Sequence, residues 1–482
     1  MSYKHGIYIS EVPTSLVPPV QASAGLPVVF GTAPLHLAQH PENVNKPVLC
    51  YTYAEAVQAF GYSPDWKHYT LCEFLKSHFA LFAVAPVVLV NVLDPAAHQT
   101  VVEPQTVAIT DGKATLADEG ILLDTLTVKL ESAGQALVKD TDYTAAFNDD
   151  GLVVFTRLAA GAIPIAQTSL FIGYSKLNPE AVDADDIIGG VDAASGAYEG
   201  LELVNKVFPL FRLVPGLILA PGFSGDPAVA AVMTAKAGNI NSHFKCIALT
   251  DIPTAEVSQY TAAAAWKNDN NYVSERQVVC WPQVRLGDET FHLSTQLAGV
   301  IGRTDAGNDD VPCVSPSNKS LQANAAVLAD GTEVSLGPDQ AAYLNGQGVV
   351  TALNFIGGWK AWGNRTGAYP AVSDPKDAFI PIRRMFDWIG NTLVTTFWSK
   401  IDNPLNRRLV NTVVDSANIW LNGLAAREFI LGGRVEVLDA ENPTTDLMDG
   451  ILKFHVYITP PGPAREIDFI MEYDPEYLAT LF

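Results

Sequence analysis

The sequence predicts a multidomain α/β protein, with an α/β core, an inserted antiparallel β domain and an α+β C-terminal domain. Three observations support this prediction. The chain has 482 residues and 48% hydrophobic content, enough for about three domains. Runs that are apolar on both faces alternate with helical patterns, as is typical of strands covered by helices. One internal stretch instead alternates with period two, which indicates antiparallel strands.

The α/β core is indicated by similar segments on both sides of residues 94–175. The predicted strands are Pro86–Leu93, Gly216–Ala220, Lys245–Leu249 and Gln277–Trp281, and the predicted helices are Tyr69–Ala80, Asp226–Asn239 and Ala255–Lys267. Because both sides share this pattern, we expect one discontinuous domain covering residues 20–93 and 176–345.

Residues 94–175 are predicted to form the inserted β domain. Segments such as Thr125–Leu130 and Gly151–Phe155 alternate apolar and polar residues, with a turn signal between them. The stretch from Asp94 to Ser175 contains eleven acidic and four basic residues. This charge favours a module that faces solvent.

Residues 346–482 are predicted to form the C-terminal domain. We predict a helix from Leu405 to about Leu424, with Asn403 as N-cap and Pro404 at its first position. Its apolar face would contain Leu405, Leu409, Val413, Ala417, Leu421 and Leu424. Strand-like alternation follows at 452–458 and 466–473, separated by the prolines of 460–463, which favour an extended exit from the domain.

Composition limits the partners and the environment. The net charge is −22, from 52 acidic and 30 basic residues, which disfavours nucleic acid and anionic membranes. The most apolar run, Phe79–Val90, is too short to span a bilayer, and the first residues lack the order of a signal peptide. Five cysteines without a C-x-x-C pair are expected as reduced, mostly buried thiols.

No motif predicts catalysis, a metal or a cofactor. The best enzyme lead is Ser224 in Gly222–Asp226, placed between a strand and a helix as in hydrolases, although a loop or capping role is the simpler reading. The segment Gly346–Thr351 lacks the third glycine of a dinucleotide-binding loop. His36 and His40, the candidate metal ligands, lie in a segment that is interrupted by prolines. Asp183, Asp185 and Asp186 could form a pair of catalytic carboxylates, but such an acidic stretch is typical of a solvated turn.

Positive charge is concentrated in the last third of the chain. Residues 360–434 contain ten basic and six acidic residues, within a strongly acidic protein. Lys400, Arg407 and Arg408 cluster where the predicted helix begins. Such a cluster indicates an acidic partner.

Several segments, in order along the chain, resemble contractile tail sheath proteins of myovirus-type phages and contractile bacteriocins. The resemblance rests on Gly6–Pro13, Val28–Ala33, Gly299–Asp305 with Ser315–Asn318, Trp362–Thr366, Ile382–Asp387 and Pro460–Ile467. Gly302 departs from that pattern, which usually has alanine there. The resemblance implies a tail-sheath-like fold in which terminal arms complete the C-terminal domain.

The resemblance also implies a structural function and no enzymatic one. Subunits would stack as hexameric rings around a tail tube and contract on a baseplate signal, driving the tube through the host envelope. The expected partners are other copies of the chain, tube, baseplate and tail terminator proteins, with assembly in the host cytoplasm and no cofactor. A tail-like bacteriocin, a type VI-like system and an α/β hydrolase stay open as alternatives.

The same resemblance assigns roles to individual residues. It implies that residues 1–19 form an N-terminal arm, and that both arms add strands to neighbouring subunits. The candidate arm residues are Ile7, Tyr8, Ile9, Ile467, Phe469 and Ile470. Lys400, Arg407 and Arg408 become candidate contacts to an acidic tube surface.

Overall fold

The computed structural model describes residues 23–148 and 151–481. The N-terminal arm candidates Ile7, Tyr8 and Ile9 lie outside the described residues. Within the described ranges, none of the helices has both the length and the hydropathy needed to cross a bilayer.

The first part of the chain builds one edge of a large sheet. Its elements are β1 (Pro27–Gly31), β2 (Val48–Cys50), α1 (Tyr53–Phe60), α2 (Thr70–Leu75) and β3 (Val87–Asn91). β3 pairs parallel with β1 and antiparallel with β2.

An antiparallel β module follows β3, which confirms the predicted insertion. Its strands are β4 (Gln99–Ala108), β5 (Lys113–Thr115), β6 (Thr127–Lys129), β7 (Tyr143–Phe147), β8 (Val153–Arg157) and β9 (Ser169–Leu177). They form two three-stranded sheets, β4-β9-β6 and β5-β8-β7. The module has a separate core, in which Tyr143 stacks on Phe155 with ring centroids 4.6 Å apart.

The chain then returns to the large sheet. The elements are α3 (Ala184–Ile188), β10 (Gly190–Val191), β11 (Tyr198–Glu199), α4 (Val204–Phe211), β12 (Leu217–Leu219), α5 (Pro227–Gly238), β13 (Ile247–Asp251), α6 (Tyr260–Asp269), β14 (Gln277–Cys280), β15 (Gln283–Leu286), β16 (Glu289–Phe291), α7 (Leu293–Ala306), β17 (Lys319–Ser320), β18 (Ala325–Val327), α8 (Pro338–Gly346), β19 (Val349–Asn354) and β20 (Trp359–Trp362). Each of the four predicted core strands is present. The predicted helix at 255–267 begins later, at Tyr260.

In the described part of the chain, the large sheet has nine strands in the order β17-β20-β19-β14-β13-β12-β1-β3-β2. In this spatial order, the six strands from β19 to β3 are parallel to one another. The remaining strands, β17, β20 and β2, are antiparallel to their neighbours. Because β19 and β20 belong to this sheet, it continues beyond residue 346. The domain boundaries themselves stay a prediction.

Both faces of the sheet are covered, which explains why its strands read as continuous apolar runs. In β1, Val28 and Phe30 point into one core, and Val29 points into the other. The first core also contains Met385 and Trp388, whereas the second contains Leu297. The helix that contains Met385 and Trp388 is therefore packed onto the face opposite to α7.

The C-terminal part contains α9 (Pro375–Ala378), α10 (Ile380–Phe397), α11 (Arg407–Ala426), β21 (Gly432–Glu436), α12 (Thr444–Met448) and β22 (His455–Thr459). The predicted helix is present as α11, and Val413, Ala417, Leu421 and Leu424 are buried as expected. Its predicted start was wrong. Asn406 caps the helix, accepting a hydrogen bond from the Leu409 amide at 2.9 Å, so Asn403 and Pro404 lie before it.

Candidate assembly site

β21 and β22 form a small antiparallel sheet that is separate from the large one. Within the described ranges, the two strands pair only with each other. The Asn418 side chain of α11 hydrogen-bonds both backbone groups of Val435, with distances of 2.7 and 3.0 Å. The peptide groups of Val435 therefore point away from β22, and α11 occupies this edge of β21.

Among residues 23–148 and 151–481, nothing covers the outer edge of β22 in this way. Val456 lies opposite Val435 in the register. In an antiparallel pair, two residues directly opposite each other direct their backbone N–H and C=O groups either both toward the other strand or both away from it. The backbone groups of Val456 and Ile458 thus face the free edge of β22.

An apolar groove of about 800 Å³ lies directly beside this small sheet. Leu393, Phe397, Leu409, Val435 and Val456 line this 800 Å³ groove between α10, α11 and the small sheet. We call it the C-terminal groove. It provides an apolar surface next to an unpaired strand edge.

The last part of the described chain makes little contact with the rest of the subunit. The expected strand at 466–473 is not formed, which corrects that prediction for the single chain. Ile467, Phe469, Ile470 and Met471 have exposed fractions of 71, 89, 95 and 94%. Apolar side chains at such exposure indicate a segment that lacks its packing partner.

Three of the segments that carry the family resemblance meet where this tail leaves the subunit. A cleft of about 610 Å³ is lined by residues from 315–319, from 362–369 and from 461–465. Arg365 stacks on Tyr369 and on Phe379, with 4.2 and 3.6 Å to the ring centroids. We call this the tail-root cleft.

Buried ion pairs fix α10 against the large sheet. Arg384 donates to Asp305 of α7 and to the carbonyl of Ala24 at 3.0 Å. Arg383 and Arg276 both donate to Asp387, at 3.0 and 2.6 Å. Two of the resembling segments, 299–305 and 382–387, are thus joined by the pair between Arg384 and Asp305.

A different contact of α7, with the segment just before β3, explains the departure at Gly302. A Cβ at Gly302 would lie 2.7 Å from Cγ1 of Val84. Because Val84 occupies the space that a methyl group would need, glycine fits here without moving the chain.

The three predicted tube contacts lie in one stretch of chain, but in different settings. Lys400 lines the rim of the C-terminal groove. Arg407 and Arg408 are exposed in the first turn of α11, which contains no acidic residue. Positive charge there opposes the helix dipole. In the described part of the chain, none of the three has a carboxylate within 4.0 Å.

The enzyme lead is placed in the core. Ser224 lies between β12 and α5 as predicted, but it is 1% exposed and its hydroxyl hydrogen-bonds Asp251 at 3.3 Å. Asp226, not Ser224, caps α5. The nearby His292 directs Nδ1 to Glu73 at 2.8 Å. The hydroxyl is therefore structural, and an exposed nucleophile is absent at this position.

The strand order of the large sheet reverses between β1 and β12, and the crevice at this point is filled by the chain's own side chains. Parallel sheets of this order can bind ligands beyond the ends of β1 and β12. Thr70 occupies this crevice, since its Oγ1 would lie 2.3 Å from a Cβ at Gly31 and its Cγ2 2.9 Å from one at Gly222. Thr32 accepts a hydrogen bond from the Thr70 amide at 3.1 Å and closes the crevice further.

Other predicted ligand candidates have local structural roles. Asp183 caps α3 in a capping box with Asp186, so this acidic stretch begins a helix and is not a simple turn. Gly346 ends α8, and β19 follows it. Four of the five cysteines are buried and all five are free, as predicted. Across 23–148 and 151–481, no group of three potential metal-binding side chains occurs.

The Glu73–His292 pair predicts a pH dependence of stability. Burial alone would lower the pKa of His292, but the charge and hydrogen bond of Glu73 and the charge of Asp251 raise the pKa to about 9. The stability contributed by protonated His292 is fully present below pH about 6.5 and is lost as pH rises through about 9. We expect a loss on the order of 3 kcal/mol in the free energy of unfolding over this window.

Urea unfolding at pH 6, 7.5 and 9 measures this effect. The H292Q variant should lose most of the pH dependence, whereas H40Q should keep it, because His40 is exposed and pairs with Glu42 at the surface. Parallel curves for the wild type and H292Q would contradict the assignment.

Comparisons with known proteins agree with this arrangement. The chain is 28% identical over 493 residues to the tail sheath protein of Burkholderia phage BcepMu, covering 100% of this chain and 98% of that protein. It is 27% identical to a putative prophage major tail sheath protein of Pseudomonas aeruginosa strain UCBPP-PA14, over 63% of this chain and 76% of that protein. No family model matches the chain.

Solved structures give the same fold. The sheath of the extracellular contractile injection system PVC in its contracted state covers 99% of both chains, with a TM-score of 0.58 and 14% identity. The contracted helical sheath of the anti-feeding prophage covers 98% of this chain and 100% of that chain, with a TM-score of 0.55 and 16% identity.

The relatives and the solved structures that share this fold are structural sheath proteins and not enzymes. Over nearly its whole length, the chain is similar to tail sheath proteins of phages and of phage-like contractile systems.

Sequence reasoning missed two parts of this site. The closed edge of β21 depends on Asn418, which in the sequence is an ordinary polar position of an amphipathic helix. The tail-root cleft brings together segments up to about 150 residues apart. The order of the resembling segments was a signal of shared function, but it gave no contact between them.

Proposed function

We propose that the chain polymerises as stacked hexameric rings around a tail tube and contracts to drive that tube through the host envelope. The observation that carries this proposal is the coexistence of a free strand edge and an exposed strand-like tail in one subunit. Each copy offers both a donor and an acceptor for strand exchange. The relatives named as tail sheath proteins support the same function.

The acceptor is the outer edge of β22. Its free backbone groups at Val456 and Ile458 would pair with an incoming strand, which gives a defined register. The C-terminal groove beside that edge would receive apolar side chains of the strand. Asn418 blocks the competing edge at Val435, so we place the first added strand on β22.

The donor is residues 466–473, together with the N-terminal arm that contains Ile7, Tyr8 and Ile9. In an extended strand, Ile467, Phe469 and Met471 would share one face. Ile470 would lie on the other face with the acidic residues. This pattern gives the tail one apolar side for a neighbouring groove and one side for solvent.

Strand exchange also fits contraction. Backbone hydrogen bonds hold neighbouring subunits together, while the extended exit at residues 460–463 allows the rigid cores to move. Baseplate and tail terminator proteins would bind the two ends of such a lattice. Contraction then changes the contacts between cores without breaking the chain of linked sheets.

Arg407 and Arg408 are proposed to contact an acidic tube, with Lys400 close by in the chain. Single exposed ion pairs contribute only about 0 to 1 kcal/mol, but many repeated along a lattice act together. For the double variant R407E/R408E, we expect several-fold fewer extended tails, because like charges would then face each other. Electron microscopy of tails assembled with tube protein measures this fraction.

The matched control for that experiment is R427E. Arg427 is exposed on the same domain and pairs with Asp309 at 3.4 Å, so its reversal should leave extended tails at the wild-type level. Sheaths formed without tube should be normal in both variants. Normal extended tails from R407E/R408E would remove these residues from the tube interface.

Negative-stain electron microscopy of the purified chain tests the proposed function as a whole. Striated hollow cylinders with sixfold end views are the expected result. A chain that stays monomeric at high concentration, with and without tube protein, would contradict it.

A further inference from the structure

We propose that the tail-root cleft binds a carboxylate side chain from a second copy of this chain. The inference deepens the proposed function and rests on it, because the cleft would be filled only in the assembled sheath. Three basic residues line this cleft: Lys319, Arg365 and Arg465. Every described lining residue is neutral or basic.

Arg365 is held in place before any ligand arrives. Its guanidinium is 4.2 Å from the ring centroid of Tyr369 and 3.6 Å from that of Phe379. Stacking fixes the plane of the guanidinium and leaves its N–H groups available to a carboxylate. Among the described residues, no carboxylate lies within 4.0 Å of Arg365.

The other two cations differ in how far they are neutralised. Arg465 donates to Glu466 at 2.7 Å, so its charge is largely paired. Lys319 is exposed on β17 and makes none of the ion pairs found in the described ranges. Lys319 and Arg365 therefore give this cleft two positive charges that no carboxylate of the described residues pairs with, in a protein of net charge −22.

A second copy is the occupant that the surroundings favour. Residues 461–465 form one wall of the cleft, and they are also the start of the tail that would cross to a neighbour. A neighbouring subunit must then lie next to the cleft. Its surface is rich in carboxylates, since each copy has 52 acidic residues, and charge complementarity would fix the register of the two copies.

This arrangement has a consequence for the tail. A carboxylate bound to Arg365 and Lys319 would press against the wall formed by residues 461–465. The bound group would thereby favour one direction of the tail over others. Sites at the tail root and at the C-terminal groove would then be occupied together.

Zero-length cross-linking with a carbodiimide tests the site directly. The reagent joins a lysine amine to a carboxylate in contact with it, forming an amide with loss of water, which the reagent takes up as a urea. Sheaths are assembled from an equal mixture of ¹⁴N and ¹⁵N protein, and cross-linked peptides are identified by mass spectrometry. We expect Lys319 in mixed-isotope cross-links to Asp or Glu in sheaths, and no such cross-link in monomers.

Lys453 is the internal control, because it pairs with Asp446 of the same copy at 2.8 Å. It should give same-copy cross-links in monomers and in sheaths. The K319Q variant should assemble with a midpoint shifted to at least about threefold higher protein concentration. R365K, which keeps the charge but loses the planar fork, should shift the midpoint as well.

The outcomes separate the two proposals. Sheaths in which Lys319 gives no mixed-isotope cross-link, while Lys453 reacts normally, would overturn the cleft assignment and leave the sheath function intact. Cross-links from Lys319 only to tube protein would also overturn it. Failure of the wild-type chain to assemble would overturn both.

Discussion

Deletion of residues 466–482 is expected to abolish sheath assembly while leaving the unfolding transition of the monomer unchanged. The apolar side chains at 467, 469, 470 and 471 are almost fully exposed in the single subunit, so their removal exposes no core. The deletion does remove the strand that a neighbouring β22 edge would bind. Electron microscopy measures assembly, and urea unfolding measures stability.

Two point variants make this prediction sharper. F469S changes the face that would enter the C-terminal groove, and we expect assembly to require at least about tenfold more protein, as about 1.4 kcal/mol per contact implies. I470S changes the opposite face and should have a smaller effect. Equal effects of the two variants, or normal sheaths from the deletion, would rule out strand addition in this register.

The variant D305A is expected to lower the free energy of unfolding by about 3 to 5 kcal/mol, because it leaves the Arg384 guanidinium buried without its partner. The side chains of Asp305 and Arg384 are each only 3% exposed. Their pair connects α7 and α10 across the edge of the large sheet. Urea denaturation of the monomer measures the change.

D309A is the matched control for this prediction. Asp309 lies four residues further along the chain and pairs with Arg427 at the surface, where both side chains are largely exposed. Its removal should change the free energy of unfolding by at most about 1 kcal/mol. If D305A and D309A gave similar changes, the buried pair would not hold α10 to the sheet.

Local periodicity predicted the strands and helices in which each face lies in a fixed environment, either the core or the solvent. The parallel strands read as apolar runs because both faces of the large sheet are covered, and α11 reads as amphipathic because one side packs on the core. The start of α11 was placed too early. The sequence offers both Asn403-Pro404 and Asn406 as starts, and only the backbone geometry selects the cap at Asn406.

The tail illustrates the opposite case. Residues 466–473 alternate as a strand does, and the pattern reflects the faces that a strand would present. A strand forms only when its backbone groups find a partner, and the described single chain does not contain one. The pattern therefore indicates a structure that we expect in the assembly and not in the subunit.

The sequence by itself determined the α/β core, the inserted β module, the amphipathic C-terminal helix and the resemblance to sheath proteins, because each depends on local periodicity or on segment order. Only the tertiary structure decided that Asn418 closes the β21 edge of the small sheet, and that no described residue covers the edge of β22. It also decided that Ser224 is buried against Asp251, and that Lys319 and Arg365 share a cleft with the tail root. These properties depend on contacts between distant residues, and such contacts exist only once the chain is folded.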